Sequence, residues 1–548
     1  MIVKTKEVSE FLAPVRIVDF YKVDNCDFLL NNLEKQVPLH GKKYALTEAG
    51  GFIILDYGKE VSGGIRLLTQ CVIGQSPTCK VRIRFGESVT EASSEIGEKN
   101  SGNHHSTRDF ICNIQNLSEI RLGSTGFRFI RIDNIDCARI GLLSVQAEFI
   151  HTDAVRIGSF ECDDKIVNEI FSAADRTLFL NMQNNVLWDG VKRDRLVWSG
   201  DLYVEMLSCF YNYGNVDNIG NSINLCFESA NEVAWVNRIP SYSLWLVLNV
   251  YNYFEFTGDC GFFKDNLQYF EDLLDKLDVC VSDDGEFVPS RLGEGKTGMP
   301  YFIDWPTAAN PDAAYAVNAL LKAALRKMLL MYEKNGLIND KLNKLYCKVK
   351  EYPAKLTDSK ALNAVQSAFG DVTDGAFGKS LTEDGASGIS TFMSYFILSE
   401  MFKAGFKTEA LKIFREYFGA MLEMGATTFF EDFDISWKEE CFPITSLKQD
   451  GKADMHGDKG AYCYKGFRHS LCHGWACGAI PFLIECVIGL KIIEPGFKKI
   501  SITPEMEGFE KIECSVATPY GPLEIKLSKN NGKINKIIKV PDEITIIN

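Results

Sequence analysis

The chain has 548 residues, 46% hydrophobic and 24% charged, with a formal net charge of −14. That length exceeds one hydrophobic core, which stops growing near about 250–300 residues, so two or three domains are expected. The acidic balance argues against a nucleic-acid partner, which needs a basic face. The absence of any apolar run near 18 residues argues against a membrane span or membrane partner.

The N-terminus, MIVKTKEVSEFLAPVRIVDF, is too often interrupted by charge for a signal peptide. The 17 cysteines are odd in number and scattered without framework spacing. They read as reduced, small buried hydrophobes, and the expected location is cytoplasmic.

Residues 1–155 alternate. In CKVRIRFGESV, Val81, Ile83 and Phe85 face one way and Lys80, Arg82 and Arg84 the other, the period of a half-buried strand. TGFRFIRIDNI repeats the pattern, and AGG, SGG and SGN punctuate it. An all-β sandwich is predicted. Within it, His104–His105 lies in a loop and reads as solvent-exposed.

Residues 156–487 change to helical spacing. PDAAYAVNALLKAALRKMLLMYEKNG carries Ala316, Leu320, Ala323 and Ala324, then Lys327 and Leu330, on one face. It starts at Pro311 and stops at Gly336. Similar segments fall near 163–183, 200–213, 241–256, 261–280, 388–404, 407–423 and 467–490. Eleven or twelve helices with few strands, and no internal repeat, predict an (α/α)6 barrel that buries two faces of each helix. Residues 488–548 alternate again and turn at Asn530–Asn531–Gly532, a hairpin signal of a small C-terminal β-sandwich domain.

Two acidic stretches stand out in the helical zone. WDGVKRDRLVWSGD, 188–201, concentrates Asp189, Asp194, Asp201, Lys192, Arg193 and Arg195 beside Trp188 and Trp198, on what is expected to be a rim loop. The basic residues are expected to keep Asp189 and Asp201 ionised. Flat aromatic faces with fixed donors and acceptors suit a sugar; a charge-laced surface connection is the alternative. GATTFFEDFDISW follows some 240 residues on, with Glu431, Asp432 and Asp434 among Phe429, Phe430, Phe433 and Trp437. Carboxyls beside apolar rings lose hydration and hold protons better; acidic residues opening a helix are the alternative. Two carboxylate clusters on separate loops suggest glycoside hydrolysis by an acid and a base.

DGVKRDRLVWSGD at 189–201 resembles the signature of the α-L-rhamnosidases of glycoside hydrolase family 78, and GATTFFEDFD resembles that family's second catalytic segment. FIDW at 302–305, YFEFTGD at 253–259 and SLCHGWACGAIPFL at 470–483 are similar to it as well. So are GESV, GFRFIRI and IEPGFKKISITP in the flanking domains. The resemblance implies a helical barrel between β-sandwiches and an inverting hydrolase of terminal α-L-rhamnose. It places Asp194 at the general-acid position and Glu431 at the general-base position. Asp189, Arg193, Trp198, Asp201 and His473 match residues that hold the sugar, with Asp304 and Trp305 beside them. The acid position is commonly glutamate in the family; aspartate withdraws the proton by about 1.3–1.5 Å, one methylene, and asks for a closer substrate or another sugar.

Other signals carry less. His469 and His473, four apart, with Cys472 and His456 nearby, lack an HExxH pattern or a third ligand at metal spacing. GEGKTG at 293–298 lacks the full phosphate-loop spacing. No metal or cofactor is expected; the partner is a small or oligosaccharide glycoside, and a homo-oligomer is left open. A polysaccharide lyase or unsaturated-uronide hydrolase, or an inactive sugar-binding protein, are the competing functions.

Overall fold

The computed structural model describes residues 2–40, 42–231, 235–293, 298–372, 374–530 and 532–547, with the side chain of residue 231 left aside. The Gly-Lys-Thr stretch of GEGKTG therefore lies outside the described residues but for its flanking glycines, as does Asn531.

Seven antiparallel strands form the N-terminal domain: β1 (Glu7–Leu12), β2 (Arg16–Asp24), β3 (Ala45–Ile73), β4 (Thr78–Gly86), β5 (Asp109–Gln115), β6 (Ser118–Asn134) and β7 (Arg139–Thr152). Pairing runs through one sheet in the order β1-β7-β3-β6-β4-β5, with β2 on β3, where a sandwich would pair its strands in two. The reason is the 29-residue β3. It pairs with β6 up to Asp56 and again from Val61, shifting register between, so one strand serves both halves. The AGG and SGG glycines lie inside β3 rather than ending it; a Cβ on Gly63 would meet the Glu148 carbonyl oxygen at 1.9 Å. Val81, Ile83 and Phe85 are buried as their alternation predicts. Arg84 is buried too, its charge met by Asp133 at 2.7 Å and Glu95 at 3.1 Å.

The central region is helical. Five long helices carry buried residues: Ser199–Tyr213, Pro240–Thr257, Ala313–Lys334, Lys360–Phe369 and Thr391–Lys403. Each packs on the next, the last packs on the 3-10 turn Gly474–Gly478, and that turn packs back on Ser199–Tyr213. The contacts thus close a ring. Lys165–Asn181 precedes the first member, and between successive members the chain runs through outer helices, among them Asp217–Asn231, Leu267–Cys280, Asp340–Val349 and Lys407–Glu423. Pro240–Thr257 is buried on nearly every face, whereas Leu267–Cys280 buries the stripe Phe270, Leu273, Leu274 and Leu277, as an outer helix must. In Ala313–Lys334 the predicted apolar face ends early: Leu330 is exposed. The segment read as one helix near 467–490 is broken into 3-10 turns, the short helix Ala479–Phe482 and a π turn at Leu483–Val487.

The C-terminal strands Leu490–Glu494, Lys499–Ile502 and Thr545–Ile547 form one sheet. Lys511–Thr518, Gly521–Asn530 and Lys533–Lys539 form another, with the predicted hairpin between the last two. A fourth strand on that sheet is Ser159–Cys162, which pairs with Lys511–Thr518 although it precedes the whole helical region. All 17 cysteines are free, and Cys137 and Cys347 are the two exposed ones. Among the described residues no helix is long and apolar enough to cross a membrane.

Candidate active site

The 188–198 segment is a loop between Lys165–Asn181 and Ser199–Tyr213, at the end of the ring that faces the N-terminal domain. It is anchored through its back. Val191 is buried in the core of the N-terminal sheet, and Lys192 enters a buried cage of Glu87 at 2.8 Å, Glu91 at 3.2 Å and the carbonyls of Phe467 and His469. Asp194 and Arg195 both adopt left-handed backbone, φ 59° and 57°. Such a conformation costs about 1–3 kcal/mol per non-glycine residue and persists where the surroundings over-determine it. Here it turns the Asp194 carboxyl inward while Arg195 lies back over Trp188.

A second loop meets the first. Gly190 forms an antiparallel bridge with His473, and the Gly474 N–H donates to the Asp189 carbonyl at 2.6 Å. A Cβ at 474 would lie 1.7 Å from Oε1 of the buried Glu205, so that side chain would have to shift. The Glu431 loop joins through Ser470, whose N–H donates to Glu431 Oε2 at 3.1 Å, and through Trp475 Nε1, which donates to the Glu431 carbonyl at 2.9 Å.

One cavity results. It is lined by Asp189, Arg193, Asp194, Trp198, Asp201, Trp305, Glu431 and His473, and also by Ile239, Tyr242, Phe302, Cys463 and Trp475. The Arg193 guanidinium sits between the two candidate catalytic groups, donating Nη1 to Asp194 at 2.8 Å and Nη2 to Glu431. Asp194 Oδ1 also meets His105 Nδ1 at 3.2 Å.

The other carboxyls lie in a drier setting. Asp189 accepts from the Leu196 N–H at 2.9 Å and Trp198 Nε1 at 3.2 Å, both neutral donors. Burial, then the Asp201 and Asp194 charges, push it well above the usual carboxylate range. Asp201, 3.4 Å from His473 Nε2, is raised to about 7, chiefly by burial. Burial lowers His473 to about 4, so its ring is neutral near pH 7. The expectation that Lys192, Arg193 and Arg195 keep Asp189 and Asp201 ionised fails: those cations are spent on Glu87 and Glu91, on Asp194 and Glu431, and on Trp188.

Asp304 does not line the cavity. It lies buried behind Trp305, capping that turn through the Trp305 N–H and accepting from Ser390, with burial raising it to about 6. Trp305 itself forms a wall stacked with Tyr462, centroids 6.1 Å apart. Asp432 is raised to about 7 by burial and by the Asp304 and Glu431 charges, and its backbone N–H donates to His469. Trp188 is not brought to the cavity. Sequence reasoning missed Tyr242 and Trp475, buried members of helical runs with no pattern apart from core. It also missed His105, whose loop belongs to another domain. Glu87, Glu91 and His456 hold ligand atoms within 4.8 Å of one another, but the Lys192 ammonium already fills that space.

A closed helical ring with a carboxylate-lined, tryptophan-walled cavity at one end is the architecture of a helical glycosidase domain. The comparisons agree. Residues 155–361 match the bacterial alpha-L-rhamnosidase 6 hairpin glycosidase domain, and residues 489–547 match the bacterial alpha-L-rhamnosidase C-terminal domain. An alpha-L-rhamnosidase of Formosa agariphila is 22% identical over 89% of this chain and 54% of its own length. The family 78 rhamnosidase of Bacillus sp. GL1 superposes with a TM-score of 0.72 at 19% identity, over 95% of this chain and 55% of that one. The rhamnose-bound rhamnosidase of Klebsiella oxytoca gives 0.66 at 16%, over 87% of this chain and 96% of that one. These superpositions speak for the fold, and the chain spans about half the length of the curated relative it matches. In the two matched segments, 155–361 and 489–547, the chain is similar to the bacterial alpha-L-rhamnosidases.

Proposed function

We propose that the chain is an inverting glycoside hydrolase that releases terminal α-L-rhamnose, or a closely related sugar, and that its helical ring is an (α/α)6 barrel of six hairpins. The observation that carries the proposal is the Arg193 clamp. Asp194 and Glu431, from loops far apart in the chain, face one cavity with a single guanidinium between them. Asp194 then protonates the glycosidic oxygen, and Glu431 takes a proton from a water attacking the opposite face of the sugar, which needs the carboxyls about 6.5–9.5 Å apart. Trp198, Trp305 and Trp475 present apolar faces to the ring C–H groups, while Asp189, Asp201 and neutral His473 supply partners for its hydroxyls. Domain boundaries near residues 155 and 488, a reducing compartment for 17 free thiols and a glycoside partner complete the reading.

A lyase or unsaturated-uronide hydrolase fits less well. A tyrosine base needs a lowered pKa, yet burial pushes Tyr242 well above its ordinary value. The cavity's guanidinium is already engaged by two carboxylates. The deciding experiment is turnover of p-nitrophenyl α-L-rhamnoside beside a panel of other nitrophenyl glycosides. Wild type should release β-L-rhamnose first, seen by NMR, and Asp194→Asn and Glu431→Gln should each lose about 10²–10⁴-fold in kcat. First release of the α anomer, or turnover surviving both substitutions, contradicts the assignment.

A further inference from the structure

The cavity does not end at Asp194. Beyond it, His105 leads into a groove whose lining includes Asn100, Gly102, His104, Ser106 and Arg468, and which shares Arg193 with the cavity. If Asp194 is the acid, the departing group's oxygen must come within hydrogen-bond reach of its carboxyl. With the sugar ring in the cavity, the departing group lies where cavity and groove meet.

The groove's charges are unequal in their satisfaction. The carboxylate that lines it, Glu91, is already matched by Lys192 at 3.2 Å. Lys99, from the same region, is held by Asp458 at 2.7 Å and Asp454 at 3.6 Å. Arg468 differs. Its side-chain contact is Nη1 to His104 Nε2 at 3.4 Å, another nitrogen, and its Nε is buried with no partner. Among the described residues no carboxylate pairs with it. A guanidinium presents a planar fork of donors that fits an oxyanion in two-point contact. Left unpaired beside a cavity rim, it has donors to spare for a ligand. His104 and the amide of Asn100, which itself donates to the Lys465 carbonyl at 3.0 Å, border the same space without adding a competing negative charge.

We propose that this groove, built by the N-terminal domain loop and Arg468, is the subsite for the departing part of the substrate, and that it takes an anionic saccharide, its acidic group held by Arg468. The proposal rests on the hydrolase reading above and names its substrate class. Specificity is thereby divided between domains: the helical ring holds the terminal sugar, and the N-terminal loop with Arg468 selects what that sugar is attached to.

The test compares wild-type kcat/KM on a rhamnosyl-glucuronate and the matching rhamnosyl-glucose, with p-nitrophenyl α-L-rhamnoside as the reference substrate. The acidic disaccharide should be preferred by about tenfold, the scale of one charge-assisted contact. The preference should shrink at high salt, fall toward one in Arg468→Gln, and return in part in Arg468→Lys. Equal rates on the two disaccharides, or a preference that survives Arg468→Gln, overturns it. Free glucuronate and glucose 6-sulfate as inhibitors separate a carboxylate from a sulfate ester. Stronger inhibition by either than by glucose supports the subsite, and inhibition by neither overturns it. Should no rhamnoside turn over, the hydrolase reading fails; calorimetric binding of glucuronate against glucose to wild type and Arg468→Lys then decides the groove alone.

Discussion

At the scale of single residues the site is defined by which charges are matched and which are left dry. Arg193 holds Asp194 and Glu431, so Arg193→Lys, which keeps the charge but loses the fork, is expected to cost both groups their alignment. A loss of kcat larger than any change in KM, from steady-state rates, checks this. Asp201 makes a different prediction. Folded, its carboxyl is raised to about 7 by burial; unfolded, it ionises near about 3.9. Between those values the folded chain binds the extra proton, so this group's contribution to stability declines as pH rises from about 4 to about 7. Asp432, raised to about 7, and Asp304, raised to about 6, add in the same direction. Asp201→Asn should therefore be more resistant to urea than wild type at pH 8, with the advantage gone at pH 4, while losing turnover. An advantage equal at both pH values contradicts the sign.

At the scale of elements, the meeting of the 188–198 loop with the 470–478 segment depends on backbone proximity. Gly474 lies against Glu205 of the helix Ser199–Tyr213, itself fully buried and with Oε1 unpartnered. Gly474→Ala should cost about 1–3 kcal/mol by overpacking, measured by denaturant midpoint, and Glu205→Ala in the same chain should recover part of it. Much of this level was legible in the sequence. Helices such as Pro240–Thr257 and Lys407–Glu423 fall within a residue or two of their periodicity, and Val81, Ile83 and Phe85 are buried as alternation requires. Asp194, Glu431, Asp189, Arg193, Trp198, Asp201, Trp305 and His473 share one cavity because two short loops carry most of them. What the sequence hid is what three-dimensional proximity decides. No local pattern says that Lys192 turns away from its neighbouring aspartates, that Asp304 caps a turn instead of facing the cavity, or that His105 reaches Asp194 from another domain.

At the scale of the whole molecule, the N-terminal sheet and the helical ring are joined by a buried ionic knot. Lys192 is nearly inaccessible, as are Glu87 and Glu91, and Glu87 also accepts the Leu471 N–H at 2.7 Å. Burial raises Glu87 to about 7 even with that lysine beside it. Lys192→Met keeps the stem's volume but leaves two carboxyls without their cation, a loss of about 3–5 kcal/mol where one partner of a buried pair is removed. Unfolding curves should show the loss, and activity should fall with it because Arg193 and Asp194 follow directly in the chain. Lys192→Met with Glu87→Gln should lose less than Lys192→Met alone. A Lys192→Met chain as stable as wild type would show that the knot does not join the two domains energetically.

The strand Ser159–Cys162, completed by Lys511–Thr518, sets an order of events during synthesis. Its hydrogen-bonding edge is made before the helices and its mate some 350 residues later, so at about 5–20 residues per second it waits on the order of tens of seconds for closure. The start and the end of the helical region are thus buckled together only after all its helices are made. A nascent chain stalled short of residue 511 should hold a formed N-terminal sheet yet leave that seam open to proteases.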